Sequence, residues 1–210
     1  MKSSFIMVGS FVVGCLLAGF GGLHENILQH SGQFSMYTLY LLMFMVGVSI
    51  GSDRKLPEIL KSLNPKILLV PLATMIGTLT ASVIVSFFIS RWSIAECLSA
   101  GCGFGYYSLS SILITQLKAS SIGVQAAAEL GTIALIANVI RELYVLLFTP
   151  LIIKYFGHLA PICAGGATTM DTTLPVITRF AGKDMVFISI VHAIIVDFSV
   201  PFFVGFFCSL

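Results

Sequence analysis

The chain has 210 residues, of which 57% are hydrophobic and only 10% charged, with a formal net charge of +2. Soluble domains carry about 25% charged residues; this composition, with a mean hydropathy of +1.02, excludes a soluble globular protein, and the small charge offers little to a nucleic acid. At about 20 apolar residues per crossing, it predicts an all-α integral membrane protein with about seven transmembrane segments, forming one polytopic domain over 1–210.

The opening MKSSFIMVGSFVVGC contains Val12-Val13-Gly14-Cys15, a short match to a lipoprotein cleavage box. The apolar run continues past it through Phe20, further than a cleavable leader should, so span one is expected at about 5–22. Ser10, Gly14, Ala18 and Gly22 recur every four residues there, a small-residue seam that lets another helix approach. Span two is expected at about 35–51, with Tyr37 and Tyr40 at belt positions. The loop 52–66 holds Arg54, Lys55, Lys61 and Lys66, the densest positive cluster, and the positive-inside rule assigns it and the N-terminus to the cytoplasm. Span three follows at about 67–89, with Arg91 beyond it on the outside.

Span four, about 93–117, is not a clean helix. Gly101, Gly103 and Gly105 each disfavour helix by roughly 1 kcal/mol, and unwound backbone at membrane depth belongs where it lines a cavity or is buried in protein. Tyr106, Tyr107, Ser108, Ser110 and Ser111 would then offer hydroxyls; the alternative is a glycine-rich packing contact. Span five, about 122–153, would be about 48 Å long at 1.5 Å per residue, so it either tilts or lays its first part, with Glu129, at the interface. Lys154 and His158 mark its outer end in this scheme.

Near the middle of span five sit Asn138, Arg141 and Glu142. The first and last share a helical face, and Arg141 lies one step round. A charge at the bilayer centre costs roughly 2.5–3.5 kcal/mol on insertion scales, so this segment is expected to line a polar interior. Span six, about 161–180, contains GGATTMDTT and Pro175, which predict two half-helices meeting at a polar break beside Asp171, Thr169 and Thr172. The two segments expected to be broken or re-entrant thus lie around 99–111 and 163–175. Such breaks in separate parts of one chain point to a transporter's binding site, where half-helix N-termini favour a carboxylate and free carbonyls a cation. Span seven, about 185–207, carries Ser189, His192 and Ser199. His192 is either an interhelical hydrogen bond or a proton carrier. Asp197, four residues before Pro201, ranks behind Glu142 and Asp171 as an acid that a kink exposes to a cavity.

Enzyme chemistry finds little support. Ser108 and His192 lack the Gly-x-Ser setting of a serine intramembrane protease, the glycines at 101–105 lead to Tyr106 where an aspartyl type needs an acid, and HExxH is absent. The cysteines (15, 97, 102, 163 and 208) form no CxxC and read as small core residues, with no metal site. A scaffold would not need Arg141, Glu142 and Asp171 in its core.

GCGFGYYSLSSILIT, ANVIRELYVLLFTPLI and CAGGATTMDTTLPVITRFAGKDMV, in this order, resemble the LysO family of lysine exporters over essentially the whole chain. The resemblance implies export of L-lysine and its toxic analogue thialysine across the bacterial inner membrane, with transport depending on intramembrane acids that fall on Glu142 and Asp171. Arg141, Asn138, Tyr106, Tyr107, Ser108, Thr169, Thr172 and His192 are the substrate-binding candidates beside them. Arg141 would serve a substrate carboxylate or else neutralise Glu142. Proton antiport, without a cofactor, is the expected driving force; another cationic or small amino acid is the alternative substrate. Single-chain members of this family are longer, so a small membrane partner supplying further spans, or self-association, is also expected.

Overall fold

The computed structural model describes residues 65–210 and, before them, the helical and exposed positions Tyr37, Leu41, Phe44 and Val48. The chain divides into two compact units, Met1–Phe44 and Met45–Leu210; the description below concerns the second, from residue 65 onward. The small-residue seam, span one, most of span two and the loop before residue 65 lie outside the described residues, as does the side assigned to the N-terminus.

Seven α-helices follow in order: α1 Pro65–Ser86, α2 Ile94–Gly101, α3 Tyr107–Ile122, α4 Val124–Phe156, α5 Ala160–Gly165, α6 Leu174–Ala181 and α7 Met185–Ser209. A 3-10 turn, Gly166–Met170, joins α5 towards α6. No strand occurs among the described residues. Among the described residues, three segments are long and apolar enough to cross a membrane: Ile67–Ser86, Val124–Phe156 and Met185–Ser209. They correspond to the expected spans three, five and seven.

Local chemistry sets the short pieces. α2 opens on a capping box: Ser93 accepts from the Glu96 N–H at 3.2 Å, and the Glu96 carboxylate accepts from the Ser93 N–H at 2.7 Å. This reciprocal pair satisfies two otherwise free donors and accounts for an acid in an apolar stretch. α3 turns directly into α4 through Gly123, whose φ of 86° suits glycine. Along the resulting antiparallel pair, Gly131 of α4 lies against Ser111 and Thr115 of α3.

This turn decides how span four runs. Arg91, just ahead of α2, pairs with Glu129 in the early turns of α4, and α3 ends where α4 begins. The start of α2 and the end of α3 therefore lie at the same end of α4, and the segment enters and returns without crossing. The pair itself is exposed, and such pairs contribute about 0–1 kcal/mol; it serves as a marker of position.

Span six does the same from the opposite end. Ile162 of α5, Ile177 of α6 and Val70 near the start of α1 form one buried cluster, with Ala181, Met185 and Ile188 packed against it. α6 thus comes back to the end at which α5 started, which is the C-terminal end of α4. Of the two alternatives for 99–111 and 163–175, broken crossing or re-entrant, the second is realised in both.

The re-entry corrects one expectation. The expected scheme put the end of α4, with Lys154 and His158, on the side opposite the start of α1; the two lie at the same end. Lys154, Arg179 and Lys183 lie at that one end, whereas the expected scheme put Lys154 opposite the other two. α7 runs parallel to α1: His192 pairs with Thr74 a turn above the Val70–Ile188 level.

Candidate functional site

The tips of the two hairpins meet beside the middle of α4. The first tip, Cys102 to Tyr106, is bent by Phe104 (φ 44°) and Gly105 (φ 102°). A bulky residue at positive φ is a rare, strained conformation, and such strain gathers at functional sites. Phe104 is held there by full burial and by an edge-to-face contact with Phe203 of α7, with centroids 5.9 Å apart. Its carbonyl accepts the Ala167 N–H of the second tip at 2.8 Å. Gly166, with φ 65°, lies so close that a Cβ there would land on that same carbonyl oxygen.

Two side chains one turn apart on α4 hold the tips. Asn138 is buried; its Oδ1 accepts from Gly105 N–H at 2.7 Å, and its Nδ2 donates to the Ala134 carbonyl at 2.7 Å. Arg141 donates from Nε to the Ala164 carbonyl at 2.6 Å and from Nη2 to the Cys163 carbonyl at 2.9 Å. Those carbonyls end α5 and have no helical donor, and a cation there also meets the negative end of the helix dipole. Arg141 makes no ion pair with Glu142 among the described residues, and two of its five donors are taken by backbone.

The two acids stand apart from that arginine. Glu142 is half-buried on the flank of the α4 stripe formed by Ala134, Asn138, Val145 and Thr149. Asp171 is exposed at the second tip, accepting from Thr172 N–H at 2.5 Å and from the Thr172 hydroxyl at 3.3 Å. Among the described residues the one ion pair joins Arg91 and Glu129, so neither acid has a cationic partner there. Tyr107 and Ser108 are exposed on the first turn of α3, and Tyr106 is half-buried at its N-cap. Neither α3 nor α6 has a side-chain cap at its N-terminus, so each return leg begins with backbone N–H groups that no helical carbonyl takes, fewer of them in α6, whose second residue is Pro175.

Across residues 8–208 the sequence matches the family described as lysine exporter LysO. The chain belongs to the LysO lysine exporter family. It is 35% identical to the lysine exporter LysO of Escherichia coli K12 over 98% of its own length and 64% of that protein's. It is 29% identical to a putative lysine exporter of Haemophilus influenzae Rd, over 97% of each chain. The chain thus spans 64% of the length of the Escherichia coli relative. No solved structure matches it.

The remaining candidates of this LysO chain are interior struts. Thr169 is fully buried and donates to the Gly166 carbonyl at 2.8 Å, with the Ser189 carbonyl at 3.1 Å. His192 is fully buried between two threonines: its Nε2 lies 2.9 Å from the Thr74 hydroxyl and its Nδ1 3.4 Å from that of Thr169. Of the two readings of His192, the structure favours the interhelical hydrogen bond. His192→Leu is expected to lower stability by about 0.5–1.5 kcal/mol, the net worth of the lost hydrogen bond to Thr74, because both threonine hydroxyls keep their backbone acceptors. Export per folded molecule should persist; export lost at unchanged melting temperature would assign His192 to transport instead.

Two buried charges escaped or were underrated by sequence reasoning. Lys118 is 5% exposed on α3, and nothing in its sequence setting marks it as buried. Asp197 is 6% exposed on α7; the signal was Pro201 four residues on.

Proposed function

We propose that this protein exports L-lysine, and thialysine with it, across the bacterial inner membrane by antiport with protons, using no cofactor. Two hairpins entering from opposite ends, with uncapped helix N-termini and two acids lacking a described cation where their tips meet, carry this reading. The free N–H groups at the starts of α3 and α6 suit the substrate's carboxylate, with Tyr107, Ser108 and Thr172 beside them. Glu142 and Asp171 suit its ammonium groups. An acid that holds either a proton or a cationic substrate couples the two flows. The names of both relatives agree with lysine, and the basic end of the helix frame is assigned to the cytoplasm by the positive-inside rule.

The test is intracellular lysine in exporter-deficient bacteria fed a lysine-containing dipeptide. Expression should lower it, and Glu142→Gln and Asp171→Asn should each cut export at least about tenfold, about 1.4 kcal/mol of lost stabilisation. Proton-dependent export that survives Glu142→Gln removes that residue from coupling. Unchanged lysine in every arm, with arginine or ornithine falling instead, would move the substrate to another cationic amino acid. Since the chain spans 64% of the Escherichia coli relative, we further propose a small membrane partner or a second copy of the chain. Export from this chain alone, as a monomer, would refute that.

A further inference from the structure

We propose that Asp197 is the carboxylate that receives the side-chain ammonium of the substrate, inside the protein between α7 and the two hairpin tips. This rests on the reading of the protein as an exporter of cationic amino acids and adds the group that would recognise the cationic end.

Asp197 is 6% exposed, yet its carboxylate forms no hydrogen bond or ion pair among the described residues. Buried carboxylates are ordinarily paired or hydrogen-bonded. Its backbone is also short of a partner. Pro201 stands four residues on within α7 and has no N–H, so the Asp197 carbonyl receives no helical hydrogen bond. One residue thus supplies two oxygen acceptors with no described donor, which is the chemistry of a cation site.

Its position fits the tips. Five residues before it on α7, His192 meets Thr169 of the second tip; six residues after it, Phe203 meets Phe104 of the first. Asp197 therefore sits on the stretch of α7 that spans both. Arg141, the cation at the tips, is already bound to the carbonyls of α5. The flanking Val196 and Val200 are fully buried and apolar, so the carboxylate sits in a low-dielectric setting that favours a cation beside it. A long, thin side chain ending in an ammonium can reach such a point while its carboxylate and α-amino group stay near the exposed helix starts and Asp171.

The experiment measures binding of lysine and of norleucine, which has the same backbone and an apolar side chain, to the full-length chain in detergent. Wild type should prefer lysine by tenfold or more. Asp197→Asn should erase that preference while norleucine binding stays the same, and Asp197→Glu should restore part of it. Wild type without a preference for lysine overturns the exporter reading and this proposal with it. A preference kept by Asp197→Asn overturns the proposal alone. Should that variant not fold, labelling of wild type with a hydrophobic carbodiimide, read by peptide mass spectrometry, decides the matter. Lysine, and not norleucine, should protect Asp197. An Asp197 that stays unlabelled, or is labelled equally with and without lysine, overturns the proposal.

Discussion

Gly166→Ala is expected to abolish export and to leave little folded protein. Gly166 has φ 65° and ψ −133°, a region open essentially to glycine, where another residue costs about 1–3 kcal/mol in strain alone. The added Cβ would also fall on the Phe104 carbonyl oxygen. That oxygen belongs to the backbone of the other hairpin and already accepts the Ala167 N–H, so no flexible side chain can yield. The combined loss should reach about 4 kcal/mol or more, the exceptional end for a single substitution. Gly157→Ala is the control: its φ is 86°, but nothing stands within 4 Å of a new Cβ, so it should cost strain only, about 1–3 kcal/mol. Melting curves in detergent, with dipeptide-fed export beside them, make the comparison. Equal behaviour of the two variants would mean that the tips do not touch.

Arg141→Ala should likewise stop export, and by way of structure. Two hydrogen bonds from a charged donor are lost, each worth about 1.5–3 kcal/mol, and the last carbonyls of a six-residue helix are left unpaired. A fall in stability of about 3 kcal/mol is expected, taking the low end for each bond. Arg141→Lys should lie between the variant and wild type, because an ammonium cannot span two successive carbonyls as the planar fork does. The opposite pattern is equally readable. If Arg141 served the substrate's carboxylate, the alanine variant would melt normally and show a raised KM for lysine.

Much of this architecture could be read from the residues, and the reasons for the remainder are physical. The three crossing helices follow from apolar length. The breaks follow from the glycines at 101, 103 and 105 and from GGATTMDTT, since these sequences cannot continue a helix cheaply. Re-entry was open because hydropathy records depth and not direction: an apolar segment that turns back has the same composition as one that crosses. The deciding feature was Gly123, a one-residue connection between α3 and α4 that leaves no polar loop to notice. The anchoring of Arg141 was hidden for a related cause: its partners are main-chain carbonyls, which have no letter in the sequence, whereas the adjacent Glu142 is visible as a letter. His192 showed its polarity but not its neighbours, because Thr74 lies 118 residues away. Asp197 was visible as an acid beside a proline, and only burial raised it above its rank.

The two hairpin tips share one anchor, and this restricts how the protein can move. Asn138 and Arg141 are neighbours on a single helix, and each grips a different tip. Sliding or tilting α4 therefore carries both tips together and cannot part them. An alternating-access exporter built on this frame would take its asymmetry from the legs, α2 and α3 at one end of the bundle and α5 and α6 at the other, with the two tips moving as one body.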